Sequence, residues 1–126
     1  LNGVRVRGDW EAWLGFFLEG VAETAQQAVE TAQRLLALLA RDRARIAALG
    51  TRAGNVGLVF DQFARRVLLG VPQVQPQMAL SAPTIRAAIR TLEDMEIVNE
   101  LTGQRRHRVF AYSDYLAILS EGAQPL

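Results

Sequence analysis

The stretch that most constrains this chain runs from Ser81 to Tyr112, SAPTIRAAIRTLEDMEIVNELTGQRRHRVFAY. Ser81 carries a side-chain oxygen suited to capping a helix, and Pro83 and Thr84 follow in the first turn, where a missing N–H costs little. Ile85, Ala88, Ile89, Leu92 and Met95 recur at helical spacing and predict one apolar face. The helix is expected to stop near Glu96, because Ile97-Val98-Asn99-Glu100-Leu101 alternates and starts with β-branched residues. Thr102-Gly103-Gln104 reads as a turn. Arg105-Arg106-His107-Arg108 is a basic tip, and Val109-Phe110-Ala111-Tyr112 a return strand.

A helix followed by a hairpin with a basic tip is the pattern of a winged helix-turn-helix. Upstream, Thr51 to Asn55 is a polar, glycine-containing break, and Asn55 is placed to cap a helix carrying Val56, Val59, Phe60, Phe63 and Val67 on one side, with Gly70 ending it. In Val71 to Leu80, Pro72 and Pro76 leave room for one short turn, expected to start at Pro76 with Gln75 as cap. Ser113-Asp114 predicts a capped closing helix through Leu119, and Gly122 to Leu126 a frayed tail.

Before the break the chain is helical in character. Asp9 is the expected N-cap, and Trp10, Trp13, Leu14, Phe17, Leu18 and Val21 follow at helical spacing. Two interleaved series continue: Ala25, Ala28, Ala32, Leu35 and Leu39; and Val29, Ala32, Leu36, Leu39 and Ile46, with Arg43 filling one slot. Alanine, leucine, glutamate, glutamine and arginine favour helix, and Gly50 is a suitable stop. One helix or two fit between Asp9 and Leu49. The small alanines allow close helix approach, either within the chain or across a dimer, for which Ala25, Ala28, Ala32, Leu35, Leu36 and Leu39 are the candidates.

Composition narrows the function classes. The absence of cysteine removes disulfides, thiolate metal sites and cysteine nucleophiles, and fits a cytoplasmic protein. The apolar run Trp13 to Val21 is too short to cross a bilayer and contains Glu19. LNGVRVRGDW lacks the apolar core of a signal peptide. The start at Leu1, without an initiator methionine, is that expected of a fragment of a longer protein. All 14 basic residues are arginine, yet the net charge is only +1, so any nucleic-acid signal must lie in clustering.

With Ile85, Ile89 and Leu92 turned inward, Thr84, Arg86, Ala87, Arg90 and Thr91 face outward as candidate base readers. Arg105, Arg106 and Arg108 are candidate phosphate or minor-groove contacts, since the guanidinium fork pairs well with phosphate. Against this, exposed arginines are commonly solvated, and Glu93, Asp94, Glu96 and Glu100 lie close enough in sequence to pair with them. His107, the single histidine, has no histidine or cysteine partner for a metal. Packing in the turn or a phosphate contact are its readings. No nucleophile, carboxylate pair or glycine-rich phosphate loop suggests catalysis.

Two segments together resemble a known family. GDWEAWLGFFLEGVAETA is similar to the helix that closes the catalytic domain of Fic proteins. The pattern S-x-P-T-I-R-x-x-I-x-x-L-E-x-M-x-I-V-x-E-x-T-G-x-x-R-x-R-V-F-x-Y resembles the winged helix that often follows that domain. Their order and separation match too, so the resemblance covers nearly the whole chain. It implies a parent protein that transfers AMP, or another nucleotide-derived group, to a hydroxyl side chain of a target. The family's chemistry resides in an H-P-F-x-x-G-N-G-R motif, which is absent here: His107 is followed by Arg108-Val109-Phe110, and Gly54-Asn55-Val56-Gly57 is no substitute. What carries over is the winged helix, with Arg86 and Arg90 on its helix and Arg105, Arg106 and Arg108 on its wing.

The expectation is therefore a mainly α chain. Residues 1–50 form a helical segment resembling the end of a Fic domain, 51–120 a winged helix-turn-helix with a two-stranded hairpin, and 121–126 a tail. Its expected role is a DNA-binding or regulatory module without cofactor or catalytic residues of its own. Its expected partners are double-stranded DNA, the Fic catalytic domain of the same protein and a second copy. The alternative is an interaction module that touches no DNA.

Overall fold

The computed structural model describes residues 2–123. Its first element is one helix, α1, Asn2–Ala47. Asp9 is thus an interior residue, not a cap, and neither Gly8, Gly15 nor Gly20 interrupts the helix. The alanine, leucine, glutamine and glutamate content of the rest of the helix favours continuation strongly enough to carry these three glycines at about 1 kcal/mol each. Ala48 and Leu49 close the helix onto Ala44 and Ile46, and Gly50 then takes a positive φ of 70°. A 3₁₀ turn, Gly50–Arg52, leads directly into α2, Ala53–Arg66. Asn55 therefore lies inside α2 and caps nothing.

The strand β1, Leu68–Leu69, follows α2 and was not expected from the sequence, which had α2 reaching Gly70. The next helical turn starts earlier than expected: α3 is Val71–Val74, with Gly70 at its N-cap and Pro72 in its first turn. Gln73 Oε1 accepts from the Gly70 N–H at 3.2 Å, and Gln75–Gln77 continues as a 3₁₀ turn. Either proline suits a helix start; the free Gly70 N–H met by Gln73 favours the first one.

Helix α4, Ala82–Asp94, begins as expected, with Ser81 Oγ accepting from the Thr84 N–H at 3.3 Å. Its end is built without glycine. Ile97 N–H donates to Leu92 O and Glu96 N–H to Glu93 O, both at 2.9 Å, and Glu96 takes the left-handed φ of 61° that this closure requires. Buried Ile97 seals the cap from below. The strands β2, Asn99–Glu100, and β3, Phe110–Ala111, then form a hairpin, extended by Leu101 N–H to Val109 O at 2.8 Å. The sheet has three strands, not two, all antiparallel in the order β1-β3-β2, with Leu68 opposite Ala111 and Asn99 opposite Ala111 on the other side. Helix α5, Ser113–Gly122, closes the chain; Tyr112 is its N-cap and Ser113 its first residue. Residues 124–126 of the expected tail lie outside the described residues.

The architecture is mainly helical with this one small sheet. Val56, Val59, Phe60 and Phe63 of α2 meet Ile85, Ala88, Ile89 and Leu92 of α4, with Leu69, Val74, Ile97, Val98, Phe110 and Tyr112 around them. Each large side chain fully buried here contributes about 1.5–3 kcal/mol of hydrophobic stabilisation. Leu38 and Ile46 of α1 belong to the same core, so packing does not divide at Thr51. Along α1 the packed row is Thr31, Leu35, Leu38, Asp42 and Ile46, with Asp42 and not Arg43 in the slot between leucine and isoleucine. Val29 and Leu36 of the expected second series are exposed, and Leu39 packs within the chain.

Asp42 is wholly buried and needs partners. Tyr112 Oη donates to its Oδ2 at 2.5 Å, and Arg41 Nε and Arg45 Nη1 reach Oδ1 at 3.2 and 3.3 Å. Burial, and then this hydrogen bond to a carboxylate, hold the Tyr112 phenol well above the usual tyrosine range. Arg45 also donates to Met95 O at 2.6 Å, tying α1 to the end of α4. No described helix is long and apolar enough to cross a membrane.

Candidate functional site

One cleft, of about 730 Å³, opens between the start of α3, one side of α4 and the β2–β3 hairpin. Its floor is apolar, from Val71, Ile89 and Phe110, and its walls carry charge. Arg86 and Arg90, one helical turn apart, come from α4; Arg105, Arg106, His107 and Arg108 come from the hairpin.

Local structure explains why the two walls face each other. Gly70 sits where a Cβ would lie 3.0 Å from Arg108 O, so the hairpin stem rests directly on the backbone that starts α3. The pairing of β3 with both β1 and β2 fixes the hairpin's base. Its turn is fixed by Glu100, whose carboxylate accepts from the Gly103 N–H at 2.7 Å, the Thr102 N–H at 3.0 Å and the Thr102 hydroxyl. The hydroxyl bond, then the Gly103 N–H, hold the Glu100 carboxyl below the usual glutamate range. Gly103 takes a φ of 65° and His107 one of 55°, a left-handed conformation that histidine enters more readily than most residues. Arg108 Nε donates to Gln104 O at 2.6 Å, bracing the tip across its own loop.

The electrostatics follow from what is not paired. Among the described residues, none of Arg86, Arg90, Arg105, Arg106 and Arg108 has a carboxylate within salt-bridge distance. Glu100, an acid placed to neutralise them, is taken up by the turn. Glu93 is the one carboxylate in the cleft wall. Five guanidinium groups against one carboxylate make this a site for an anion, and several together suit one with repeating charges.

The remaining sequence candidates stand elsewhere. Thr84 belongs to the helix cap, its hydroxyl 2.8 Å from Ser81 Oγ, and Thr91 returns its hydroxyl to Ala87 O at 3.2 Å. Neither lines the cleft. Of the dimerisation candidates, Leu35 and Leu39 are half-buried within the chain, while Ala25, Ala28, Ala32 and Leu36 are exposed. Ala25 and Ala28 share a shallow apolar face with Trp13, Phe16, Phe17, Gly20 and Val21. On that face Trp10 stacks on Trp13 at 5.3 Å and Trp13 on Phe17 at 5.5 Å, yet Phe16 stays 79% exposed.

The sequence reading missed the Asp42–Tyr112 pair, although Asp42 falls one helical turn from both Leu38 and Ile46, and a carboxylate on an apolar face is a signal. It also missed the apolar floor that Val71 and Phe110 give the cleft. No group of three or more metal-binding side chains occurs among the described residues. The chain matches no family model, no curated protein and no solved structure.

Proposed function

We propose that this chain is a winged-helix module that binds double-stranded DNA through the cleft, serving as the C-terminal regulatory region of a Fic-type protein. The observation that carries the reading is the convergence of five arginines without acid partners, from two separate elements, on one cleft. The element order supports it: helix, short strand, short helix, helix, hairpin, with the strand after the first helix pairing beside the returning strand of the hairpin. Arginine is the residue best suited to phosphate and to guanine edges. The nucleotidyl-transfer chemistry belongs to the parent protein; the catalytic motif of that family is not among these residues.

The test is binding of this chain to a random mixture of short duplexes at low and raised salt, beside Arg105→Ala/Arg106→Ala/Arg108→Ala. Binding at low salt should fall as salt rises, and the triple variant should lose about 2.7 from the slope of log affinity against log salt. A folded native chain that binds no duplex at low salt would sink the reading.

A second reading is favoured by the exposed aromatic ridge of α1. Trp10, Trp13, Phe16 and Phe17 form a contiguous apolar patch of the kind that marks a protein contact. By the resemblance, this ridge docks the catalytic domain of the same protein; the alternative occupant is a second copy of the chain. Light scattering of this chain and of Phe16→Glu/Phe17→Glu separates these, since only self-association makes the native mass exceed that of the variant.

A further inference from the structure

The cleft is far too small for a duplex. At about 730 Å³ it has the size of a small-molecule pocket, so only part of a duplex's surface can enter it. We propose that one strand of the bound duplex runs through this cleft between two arginine walls, and that Arg86 and Arg90 are phosphate contacts, not base readers. The proposal rests on the DNA reading above and assigns the division of labour within it.

The geometry of α4 separates its cleft side from its outward ridge. Ala82, Arg86, Ile89 and Glu93 follow one another at steps of three and four, and all line the cleft with Arg90 beside them. Facing them across the cleft are Arg105, Arg106 and Arg108. A strand entering this space therefore meets guanidinium groups on both sides, which matches a phosphodiester track and not the edges of stacked bases. The outward ridge, the part of α4 that would lie deepest in a major groove, carries exposed Pro83, Ala87 and Asp94 beyond Arg90. Proline and alanine offer only apolar contact, to a thymine methyl for example, and the Asp94 carboxylate can accept only from a cytosine amino group and repels the flanking phosphates. Affinity then comes from charge, and sequence preference is weak.

Glu93 gives the track an end. It stands on the same row as Arg86 and beyond Arg90, and its carboxylate repels phosphate where the strand must leave the cleft. Removing this charge lengthens the track by one favourable position.

The experiment measures affinity against salt for the native chain and for Arg86→Gln, Arg90→Gln, Arg106→Gln and Glu93→Gln, all at side chains outside the core. Circular dichroism confirms that each variant folds. Three duplexes are compared: an ordinary one, one with 7-deazaguanine for every guanine, and one with neutral methylphosphonates along part of one strand. Each arginine variant should lower the salt slope by about 0.9, equally for α4 and the hairpin. Glu93→Gln should bind severalfold tighter, 7-deazaguanine should change nothing, and the methylphosphonate duplex should bind severalfold weaker. A loss on the 7-deazaguanine duplex that Arg86→Gln or Arg90→Gln abolishes would show that these arginines read guanine, overturning the proposal while leaving DNA binding intact. Failure of the folded native chain to bind any duplex would remove both.

Discussion

The arginines of the C-terminal half of α1 and the arginines of the cleft are the same side chain put to opposite uses. Arg34 reaches Glu121 of α5 at 2.5 Å, Arg41 reaches Asp114 of α5 at 3.2 Å, and Arg43 reaches Asp61 of α2 at 2.6 Å while its guanidinium lies 5.4 Å from the Phe60 ring centroid. Arg45 holds Asp42 and the end of α4. Every one of these joins α1 to another element, and each is answered by an acid. Around the cleft, among the described residues, Glu100 is engaged by the turn and Glu93, the one acid in the wall, pairs with none of the arginines. Clustering of arginine in sequence therefore says little about function; the distinction lies in which arginines the fold brings together in one cleft without an acid partner.

That comparison breaks first at Asp42, where the α1 network is buried. Asp42→Ala removes the acceptor for Tyr112 and the shared partner of Arg41 and Arg45, and should cost about 3–5 kcal/mol, read as a lower urea midpoint. Duplex binding by the fraction still folded should be unchanged, because none of these groups lines the cleft. An undiminished midpoint would mean that Asp42 is not held as described.

Tyr112→Phe is the next step down. It leaves the packing and removes one hydrogen bond to a charged group, for about 1.5–3 kcal/mol. The pH dependence has a definite sign. Because the folded state raises the phenol's pKa, this stabilisation is complete below the unfolded tyrosine value of about 10 and is lost as pH rises above it. Denaturation followed from pH 8 to 11 should show a decline in the native chain that is smaller in the Phe variant.

Smaller still is the exposed pairing. Arg43→Ala should cost at most about 1 kcal/mol, since both partners are roughly half exposed, and should leave duplex affinity untouched. Arg90→Ala should do the reverse: a stability change within about 0.5 kcal/mol and a measurable loss of duplex affinity. If both variants lose stability alike and neither alters binding, the two groups of arginines are not functionally distinct.

The part of the molecule legible in the sequence was the part whose structure is local. Ser81 as cap, the apolar row Ile85, Ala88, Ile89 and Leu92, and the hairpin around Gly103 follow from spacing and turn chemistry within about 30 residues. What stayed hidden depends on distant partners. Leu68 and Leu69 are too few to show alternation, and are a strand because β3 lies beside them. Asp42 reads as one more charge among arginines until Tyr112, 70 residues on, supplies its hydroxyl. For the cleft, the arginines were identifiable by residue type, but not that Thr84 and Thr91 would be spent on their own helix. Nor was it visible that Glu100 would be spent on the turn.

Glu100 provides the finest test of why the cleft arginines stand unpaired. The Thr102 hydroxyl, then the Gly103 and Thr102 N–H groups that the turn exposes, depress its pKa more than the charge of Arg108 does. A carboxylate whose folded pKa is depressed stabilises the turn fully above the unfolded value of about 4.3, and that contribution is lost as pH falls through the lower folded value. The amide resonances of Thr102 and Gly103 should therefore titrate together with a midpoint below that of an unstructured glutamate. Glu100→Gln should abolish the transition and loosen the tip without unfolding the core. A midpoint at or above the ordinary glutamate value would mean that the turn does not hold Glu100, and the contrast between the two groups would lose its cause.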